Sequence, residues 1–314
     1  MLREYWGHSM RLGSSPIFAG LSALCLITVA GGARADDAAA LKAKRDAAYK
    51  IAFAASQKAL VKGPTDLKLL NQGTLHLPAH MGFIPSPQAQ DYMVSLGNSR
   101  DNNLIGLVVP MGQTHQQWLS TLDYHNSGYI RDGEAQHWKP DKMLANIQEG
   151  TAELNKERTA KGFPEMNILG WIQPPIYDKI NHRLVWSIKL KDAGTPADDT
   201  YINYNTFVLG RHGYFDLGII TDPTHLAEDK AVAATLLSNT TFAPGKTYGD
   251  FNANSDKVAA YGIAALVGGI ALHKLGLLAL GFGLLAKFAK LAVLAVLGLG
   301  AAIKRFFTPK SRGG

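Results

Sequence analysis

The sequence predicts an α+β fold: a mostly antiparallel sheet with helices packed against it, plus a C-terminal transmembrane or interfacial helical segment. Strand-like segments follow one another through residues 167–221 with short connections, so neighbouring strands are expected to pair antiparallel. Helical patterns stand before and after these strands instead of alternating with them, which favours α+β over a parallel α/β sheet. Residues 258–303 contain no acidic side chain, and this apolar length predicts a membrane segment.

The first predicted elements are a helix and a hairpin. Residues 38–60 are rich in Ala with Lys and Arg on one side, and Lys62-Gly63-Pro64 supplies the residues that end a helix. Residues 66–70 and 74–77 flank Asn71-Gln72-Gly73, a pattern typical of a β-hairpin. The domain is therefore expected to begin with one helix and two paired strands.

A short helix and two buried strands are predicted next. Ser86-Pro87 combines a capping residue with a Pro that suits the first helical turn, so a helix is expected to about Leu96. Residues 104–109 form a short apolar run, which is typical of a buried strand. Residues 118–124 alternate like a second strand, which ends at the turn-forming residues 125–128.

The clearest helical pattern covers residues 141–158. Met143, Ile147, Thr151 and Leu154 recur at helical spacing, which predicts the buried face of this helix. An Asp at its start and basic residues at its end also suit the helix dipole.

Four strands, a last helix and a polar stretch complete the predicted domain. The strands are expected over residues 167–173, 183–190, 200–209 and 214–221. A helix follows over residues 223–237, and the polar residues 238–257, which include Pro and Gly, are interpreted as a tether. The folded domain is thus expected to span residues 36–237.

The positive charge lies at the two ends of the chain. The whole chain carries a net charge of +7, yet residues 36–257 hold 22 basic and 24 acidic side chains. Residues 1–35 and 258–314 carry the excess. A near-neutral domain lacks the basic footprint that drives phosphate binding, which argues against nucleic acid as a partner.

Residues 1–35 have the anatomy of a signal peptide. Arg3 and Arg11 precede the apolar residues 17–30, and Ala33-Arg34-Ala35 supplies small residues two apart. Cleavage is expected after Ala35, and the alternative of an uncleaved anchor is disfavoured because the apolar segment is short for a span. Cys25, the single cysteine, would leave with this segment, so no disulfide or thiolate chemistry is expected in the mature chain.

The apolar C-terminal run is too long for one straight helix across a membrane. As a single helix it would reach roughly 70 Å, against about 30 Å of hydrocarbon. We expect a transmembrane helix over residues 258–280, a break near Gly281, a basic amphipathic helix over residues 281–306 and a basic tail over residues 307–314. Two short spans forming a hairpin are the alternative. The positively charged tail disfavours them because Lys and Arg favour the cytoplasmic side.

Four cations share one side of the predicted amphipathic helix. At helical spacing they fall within a stripe about 100° wide, and they are Lys287, Lys290, Lys304 and Arg305. A basic stripe on an apolar helix suits the surface of an anionic leaflet. Contact with the lipid bilayer is therefore expected at these residues.

Several residue clusters, taken in order, resemble one protein family. Gly170-Trp171, Asn203-Tyr204-Asn205 and Leu209-Gly210-Arg211 follow one another, and Asp256 begins a further cluster that ends at Gly262. In this order they resemble the bacterial membrane-anchored family called domain of unknown function 2167. The resemblance implies an envelope protein with an export signal and a C-terminal membrane anchor. It implies no activity, so no catalytic residue is carried over.

Five polar residues of the domain are candidates for a functional site. Asp123 and His125 share a face at a strand end and could serve as an acid–base pair, with turn-side hydrogen bonding as the alternative. Asn203 and Asn205 point to the same side of a strand and either brace the sheet or line a ligand site. Arg211, in a hairpin turn, either clamps a carboxylate or phosphate ligand or pairs with an acid of the domain.

No metal or other cofactor is expected. His76 and His80 are four residues apart, but Pro78 separates them, and a zinc site needs a third ligand. The sequence contains no glycine-rich phosphate loop, nucleophile elbow or zinc-protease motif.

Together these features predict a protein of the bacterial inner membrane with a periplasmic main domain and a cytoplasmic C-terminus. A non-enzymatic binding or scaffold module is favoured, since the anchoring segments accompany a domain without a recognisable catalytic group. Its expected partners are the lipid bilayer and another envelope protein. The alternative is an envelope hydrolase that uses His and carboxylate side chains, with Asp123 and His125 as the candidates.

Overall fold

The structure, a computed structural model, describes residues 30–111 and 118–267 of the 314-residue chain. The α-helices there are α1 (Ala30–Ala59), α2 (Gln88–Ser95), α3 (Pro140–Ala160) and α4 (Leu226–Ser238). Short 3-10 helices lie at Gly133–His137 and Tyr248–Asp250. The strands are β1 (Val61–Lys62), β2 (Thr65–Leu69), β3 (Gly73–Leu77), β4 (Met81–Pro85), β5 (Leu104–Pro110), β6 (Leu119–His125), β7 (Met166–Asp178), β8 (Arg183–Asp192), β9 (Tyr201–Leu209), β10 (Tyr214–Thr221) and β11 (Thr240–Phe242).

Two antiparallel sheets organise the domain. The large sheet has eight strands in the order β1-β4-β5-β6-β10-β9-β8-β7, and the small sheet has three in the order β11-β3-β2. The last four strands of the large sheet form a meander, because β7, β8, β9 and β10 each pair with the next. Pairing of β6 with β10 then joins this meander to the strands that precede α3.

Three helices cover the first face of the large sheet. The short connections and the alternation of β8 turn Leu184, Trp186, Ile188 and Leu190 to this side, where they meet Ile147 of α3. At the other end of the same face, α1 and α2 pack over β4, β5 and β6 in a separate apolar cluster. The first face is therefore covered at both ends, over β7–β8 and over β4–β5.

The second face of the large sheet packs against α4 and the small sheet. Phe215 and Leu217 of β10 meet Leu75 of β3 and Leu236 of α4 in one cluster. Since both faces of the sheet are covered, every residue of β6 is buried, as in other strands enclosed on two sides.

The architecture confirms the predicted α+β class with a mostly antiparallel sheet. The long helix α3 buries Met143, Ile147, Thr151 and Leu154, the face that its periodicity predicts. The hairpin of β2 and β3, the short helix α2 and the meander of β7 to β10 also form where the sequence predicts them.

Two strands differ from the prediction. Met81–Pro85, which the sequence pattern leaves unassigned, forms β4 between β1 and β5. Strand β7 continues through Pro174 and Pro175 to Asp178, beyond the predicted end at residue 173. Proline is tolerated there because β7 is an edge strand, and irregular pairing with β8 between Gln173 and Ile176 accommodates the two residues.

The prediction that residues 238–257 form a tether is wrong, because these residues are part of the folded domain. Thr240–Phe242 is a strand of the small sheet, and Tyr248 is buried with its hydroxyl donating to the carbonyl of Ile130. The Pro and Gly residues of this stretch therefore serve turns that return the chain to the core.

The first residues of the apolar C-terminal run also belong to the domain. Val258 forms a bridge with Tyr129, and Ile263, Leu266 and Val267 are fully buried in the cluster under α3. No helix within residues 30–111 and 118–267 is long and apolar enough to cross a membrane. The rest of the predicted transmembrane helix, the predicted amphipathic helix with Lys287, Lys290, Lys304 and Arg305, the tail, and most of the predicted signal peptide lie outside the described residues.

Candidate functional site

A cleft opens on the first face of the large sheet, between the two groups of helices. It encloses about 250 Å³, its floor is formed by β6, β8, β9 and β10, and its walls come from α2, α3 and the loop that precedes β5. Gly218 lies on the floor, where the lack of a side chain adds depth. The cleft exists because α2 and α3 pack at opposite ends of one sheet face and leave its centre uncovered.

Apolar and polar side chains both line the cleft. The apolar contribution comes from Met93, Leu96, Leu104, Met166, Leu190 and Ile220. The charged contribution comes from the carboxylates Asp101, Asp123 and Asp192 and from the guanidinium of Arg158. An apolar pocket with a few fixed polar groups is the usual chemistry of a small-molecule site.

At one end of the cleft, Asp101 lies beside Asp123. Leu104, at the start of β5, pairs with Asp123, and its amide donates to the carbonyl of Asp101 over 3.2 Å. One carboxylate oxygen of Asp101, Oδ1, accepts from the backbone amide of Asn103 at 2.8 Å and from its side-chain amide at 2.9 Å. The other oxygen, Oδ2, is buried and accepts no hydrogen bond within the described parts of the chain. A ligand donor could therefore satisfy Oδ2.

At the other end, Asp192, Tyr201 and Arg158 form a second polar group. The Tyr201 hydroxyl donates to Asp192 Oδ1 at 3.2 Å. Burial raises the pKa of Asp192 and outweighs the opposite effect of the nearby Arg158 charge. Burial, followed by the charge of Asp192, likewise raises the pKa of Tyr201. The guanidinium is held in place because Arg158 Nε donates to the carbonyl of Pro164 at 3.1 Å.

The structure places Asp123 and His125 on the same face of β6, and only Asp123 lines the cleft. Asp123 is the Cα partner of Asp216 on β10, and both side chains are buried. His125 is buried as well, with its ring stacked on Tyr214 at a centroid distance of 4.7 Å. The two residues predicted as an acid–base pair are thus near each other, but in different surroundings.

Asn203 and Asn205 differ in their surroundings, so the two alternatives, bracing of the sheet and lining of a ligand site, apply to different residues. Both lie on the first face of β9 with Tyr201, as the strand alternation predicts. Asn205 is buried, and its side-chain amide donates to the carbonyl of Asn203 at 3.3 Å. Asn203 lines the cleft. In this arrangement Asn205 braces the sheet, while Asn203 is available to a ligand.

Arg211 lies away from the cleft and contacts an acid of the domain. Its Nε donates to Asp256 Oδ2 at 2.7 Å, and a second nitrogen donates to Asp256 Oδ1 at 3.0 Å. The guanidinium also donates to the carbonyl of Gly245 at 3.2 Å. Its position in the turn between β9 and β10 separates it from Asp123 and Asn203.

His76 and His80 have separate surroundings. His76 is exposed, and its Nδ1 is 2.7 Å from the Asp66 carboxylate on the neighbouring strand. His80 lies in the turn before β4 with a φ of 63°. Among the described residues, no group of three or more His, Cys, Asp or Glu side chains is arranged to hold a metal ion.

Three charged residues that line the cleft are not predicted from the sequence as site residues: Asp101, Arg158 and Asp192. Arg158 and Asp192 lie near the ends of α3 and β8, and Asp101 lies in the loop before β5. At such positions a charged residue is ordinarily assigned to the solvent or to a helix dipole. Only the packing of α2 and α3 over the same sheet brings the three together. No local signal identifies such a convergence.

Comparison with known proteins identifies a family and a structural likeness. A model of the family described as a protein of unknown function (DUF2167) matches residues 61–300. The solution structure of cyanobacterial PsbP (CyanoP) from Synechocystis sp. PCC 6803 is similar with a TM-score of 0.35 and 6% sequence identity. That similarity covers 59% of this chain and 93% of the cyanobacterial one. No curated protein matches the chain.

Proposed function

The chain belongs to the DUF2167 family of proteins of unknown function, and from this premise we propose that it is a non-enzymatic binding module held at a bacterial inner membrane. The observation that carries the binding role is the cleft between α2 and α3, with its apolar walls and its polar groups at both ends. The ligand is a small molecule or a short segment of another envelope component.

Two sequence features support the location. The basic start and apolar segment of residues 1–35 suit export, with cleavage after Ala35. The apolar run that ends in a basic tail suits a C-terminal anchor whose last residues stay in the cytoplasm. The domain of residues 36–267 would then face the periplasm.

Cysteine labelling tests this topology in the full chain. In a Cys25→Ser background, Ala253→Cys places a thiol at an exposed site of the domain, and Ser311→Cys places one in the basic tail. An impermeant maleimide should label the first in sealed spheroplasts and the second only after lysis. Labelling of both in sealed spheroplasts would favour the two-span hairpin, and labelling of neither would contradict export of the domain.

A substitution that fills the cleft tests the binding role. Asn203→Trp places a large ring on the cleft floor at a partly exposed position, so the fold should tolerate it. Native mass spectrometry of the full chain, purified in a mild detergent, should detect a bound component of constant mass. Asn203→Trp should lose this component, and the control Thr241→Trp, at an exposed site of the small sheet, should keep it. A chain without a bound component, or a component that Asn203→Trp retains, would oppose the proposal.

A hydrolase is the second candidate, favoured by the buried carboxylates of Asp123 and Asp216 on adjacent strands with His125 nearby. A positioned acid or base typically contributes about 10²–10⁴-fold to a rate. If the chain is a hydrolase, Asp123→Asn should reduce turnover of nitrophenyl ester or phosphodiester substrates by about that factor. Equal turnover by the parent chain and the variant would eliminate this candidate.

A further inference from the structure

The apolar C-terminal run leaves the domain from a defined end of the large sheet. The amide of Tyr129 donates to the Lys257 carbonyl at 2.8 Å, and the amide of Ile263 donates to the Arg131 carbonyl at 3.1 Å. Gly128 allows this close approach, because a Cβ there would lie 2.6 Å from the Lys257 oxygen. Residues 257–263 are therefore fixed beside the residues that follow β6.

The turn between β7 and β8 lies at the same end. Pro175, Tyr177 and Lys179 share a small cavity with residues 132–138, and the Tyr177 hydroxyl donates to Asp132 Oδ2 at 2.8 Å. The residue beyond, Ile180, is 89% exposed at the tip of this turn. A large apolar side chain thus stands in water close to the point where the apolar run begins.

Acidic and basic side chains both lie around this tip. The exposed carboxylates here accept from backbone amides: Asp178 accepts from the amides of Ile180 and Asn181, and Glu134 accepts from the amide of Ala264 at 2.9 Å. Three cations at this end are also exposed, and they are Arg131, Lys179 and Lys257. We call this surface the hairpin end, defined by Arg131, Lys179, Ile180, Lys257 and Tyr261. Its chemistry is an apolar tip and a Tyr among exposed cations, which is typical of residues at a membrane interface.

No polar spacer separates the domain from the apolar run. Ile263, Leu266 and Val267 are core residues, and the sequence stays free of polar side chains up to His273. If the run enters a bilayer, the domain must remain within a few residues of the lipid surface. The end of the sheet that holds residues 257–263 is the part brought closest.

We infer that the hairpin end is a lipid-contacting surface, with Ile180 inserted at the headgroup boundary and Lys179, Arg131 and Lys257 facing anionic headgroups. This inference rests on the membrane anchoring in the proposed function. It assigns the domain one orientation, in which the strands of the large sheet run towards the membrane at the β7–β8 turn. In this orientation the domain rests on the lipid surface and does not rotate on a flexible linker.

A fluorescent probe at two positions of the same hairpin tests the orientation. In a Cys25→Ser background, Ile180→Cys and Leu169→Cys each receive an NBD label; both parent side chains are exposed, and they lie roughly 30 Å apart along β7. The full chain is reconstituted in vesicles of phosphatidylcholine and phosphatidylglycerol, with or without nitroxide-labelled lipid. Flotation of the vesicles reports anchoring independently of the probe.

The expected result is a blue-shifted emission at position 180 that nitroxide lipid quenches, because an interfacial side chain reaches the headgroup–acyl boundary. Position 169 should keep the emission of a probe in water. Lys179→Glu with Arg131→Glu should weaken the quenching at position 180 in these anionic vesicles.

Two outcomes would overturn the inference while leaving the anchor in place. Flotation with an unquenched probe at position 180 would show that the hairpin end faces away from the lipid. A blue shift that depends on protein concentration and resists nitroxide lipid would assign this surface to a second copy of the chain. Failure to float would overturn the anchoring itself and the inference with it.

Discussion

Arg211 and Asp256 join the turn between β9 and β10 to the segment that leads into the apolar C-terminal run. Two nitrogens of the guanidinium contact the two oxygens of the carboxylate at 2.7 and 3.0 Å. The Asp256 side chain is only 5% exposed, although it lies near the end of the described chain. This ion pair fixes the end of residues 238–257 to the domain, in addition to the pairing of β11 and the burial of Tyr248.

Replacing Arg211 by Ala should destabilise the fold at neutral pH and to a smaller extent in acid. The Arg211 guanidinium holds the pKa of the Asp256 carboxyl well below its usual range. A carboxyl with a lowered folded-state pKa adds stability above the unfolded-state value of about 4, and this stability is lost as pH falls through the folded-state pKa. Urea unfolding midpoints at about pH 7 and about pH 2.5 measure the change. Arg100→Ala, which breaks the exposed pair with Asp91, is the control. If Arg211→Ala lowers the unfolding midpoint equally at both pH values, the effect does not come from the ion pair with Asp256.

Ile147→Ala should cost about 2–5 kcal/mol of unfolding free energy, because it leaves a cavity between α3 and the sheet. Ile147 is fully buried among Trp186 and Leu190. Denaturant unfolding measures this loss of stability. An unchanged dependence of the unfolding free energy on denaturant concentration would show that the loss arises in the folded state. The neighbouring exposed substitution Asn146→Ala should change stability by less than about 0.5 kcal/mol. Similar values for the two variants would show that this face of α3 is not packed.

Asn155→Leu should cost about 1–3 kcal/mol because it leaves two backbone groups of β7 without partners. The buried side chain of Asn155 donates to the Met166 carbonyl at 2.9 Å and accepts from the Met166 amide at 2.8 Å, as a neighbouring strand would. Asn167→Leu, at an exposed site of the same strand, is the control. Hydrogen exchange at the Met166 amide should accelerate in Asn155→Leu alone. An unchanged exchange rate would mean that this amide does not depend on the side chain.

A chain that ends after Lys257 should be much less stable than one that ends after Val267. The shorter chain lacks Ile263 and Leu266, which are fully buried beside Ile130. In the full chain, Leu266→Ala alone should cost about 2–5 kcal/mol, whereas Lys257→Ala, at an exposed site, should be nearly neutral. Thermal unfolding of the four chains provides the comparison. Equal stability of the two truncated chains would show that residues 258–267 do not contribute to the folded domain.

Asp222→Asn should lower the pKa of His225. The hydrogen bond between His225 Nδ1 and the Asp222 carboxylate, 2.6 Å long, raises the pKa of the imidazole. A raised His pKa adds stability that is fully present below the unfolded value of about 6.5 and is lost as pH rises through the folded value. An NMR titration of the His225 ring measures the pKa directly. Asp198→Asn, at an exposed loop site, should leave the titration unchanged. The same pKa in Asp222→Asn would mean that another group holds the proton.

The parts of the fold that sequence reasoning predicts are those in which one period dominates. The spacing of Met143, Ile147 and Leu154 indicates the buried face of α3, and short connections indicate antiparallel pairing. The sequence-based predictions are wrong where tertiary contacts determine the secondary structure. Pro174 argues against a strand but is tolerated at an edge, and Thr240–Phe242 is too short to show a pattern until β3 pairs with it.

The candidate site is predicted in part for the same reason. Asp123 and Asn203 lie on predicted strands, and their alternation places both on one face. Asp101 and Asp192 reach the cleft only because distant elements meet over the sheet. Sequence spacing carries no information on such contacts, so the strand residues Asp123 and Asn203 are predicted, whereas Asp101 at one end of the cleft and Asp192 at the other are not.

The pairing of β6 with β10 has a consequence for the newly made chain. Strand β6 ends at His125, and its pairing partner β10 begins at Tyr214. The ribosome synthesises α3 and three other strands between the two. Until then β6 has one edge of its backbone unpaired, and that edge can pair with any extended segment nearby. Closing contacts so distant in sequence is slow compared with local hairpin formation. A chain interrupted within the meander is therefore expected to aggregate through β6, and completion of β10 is the step that protects it.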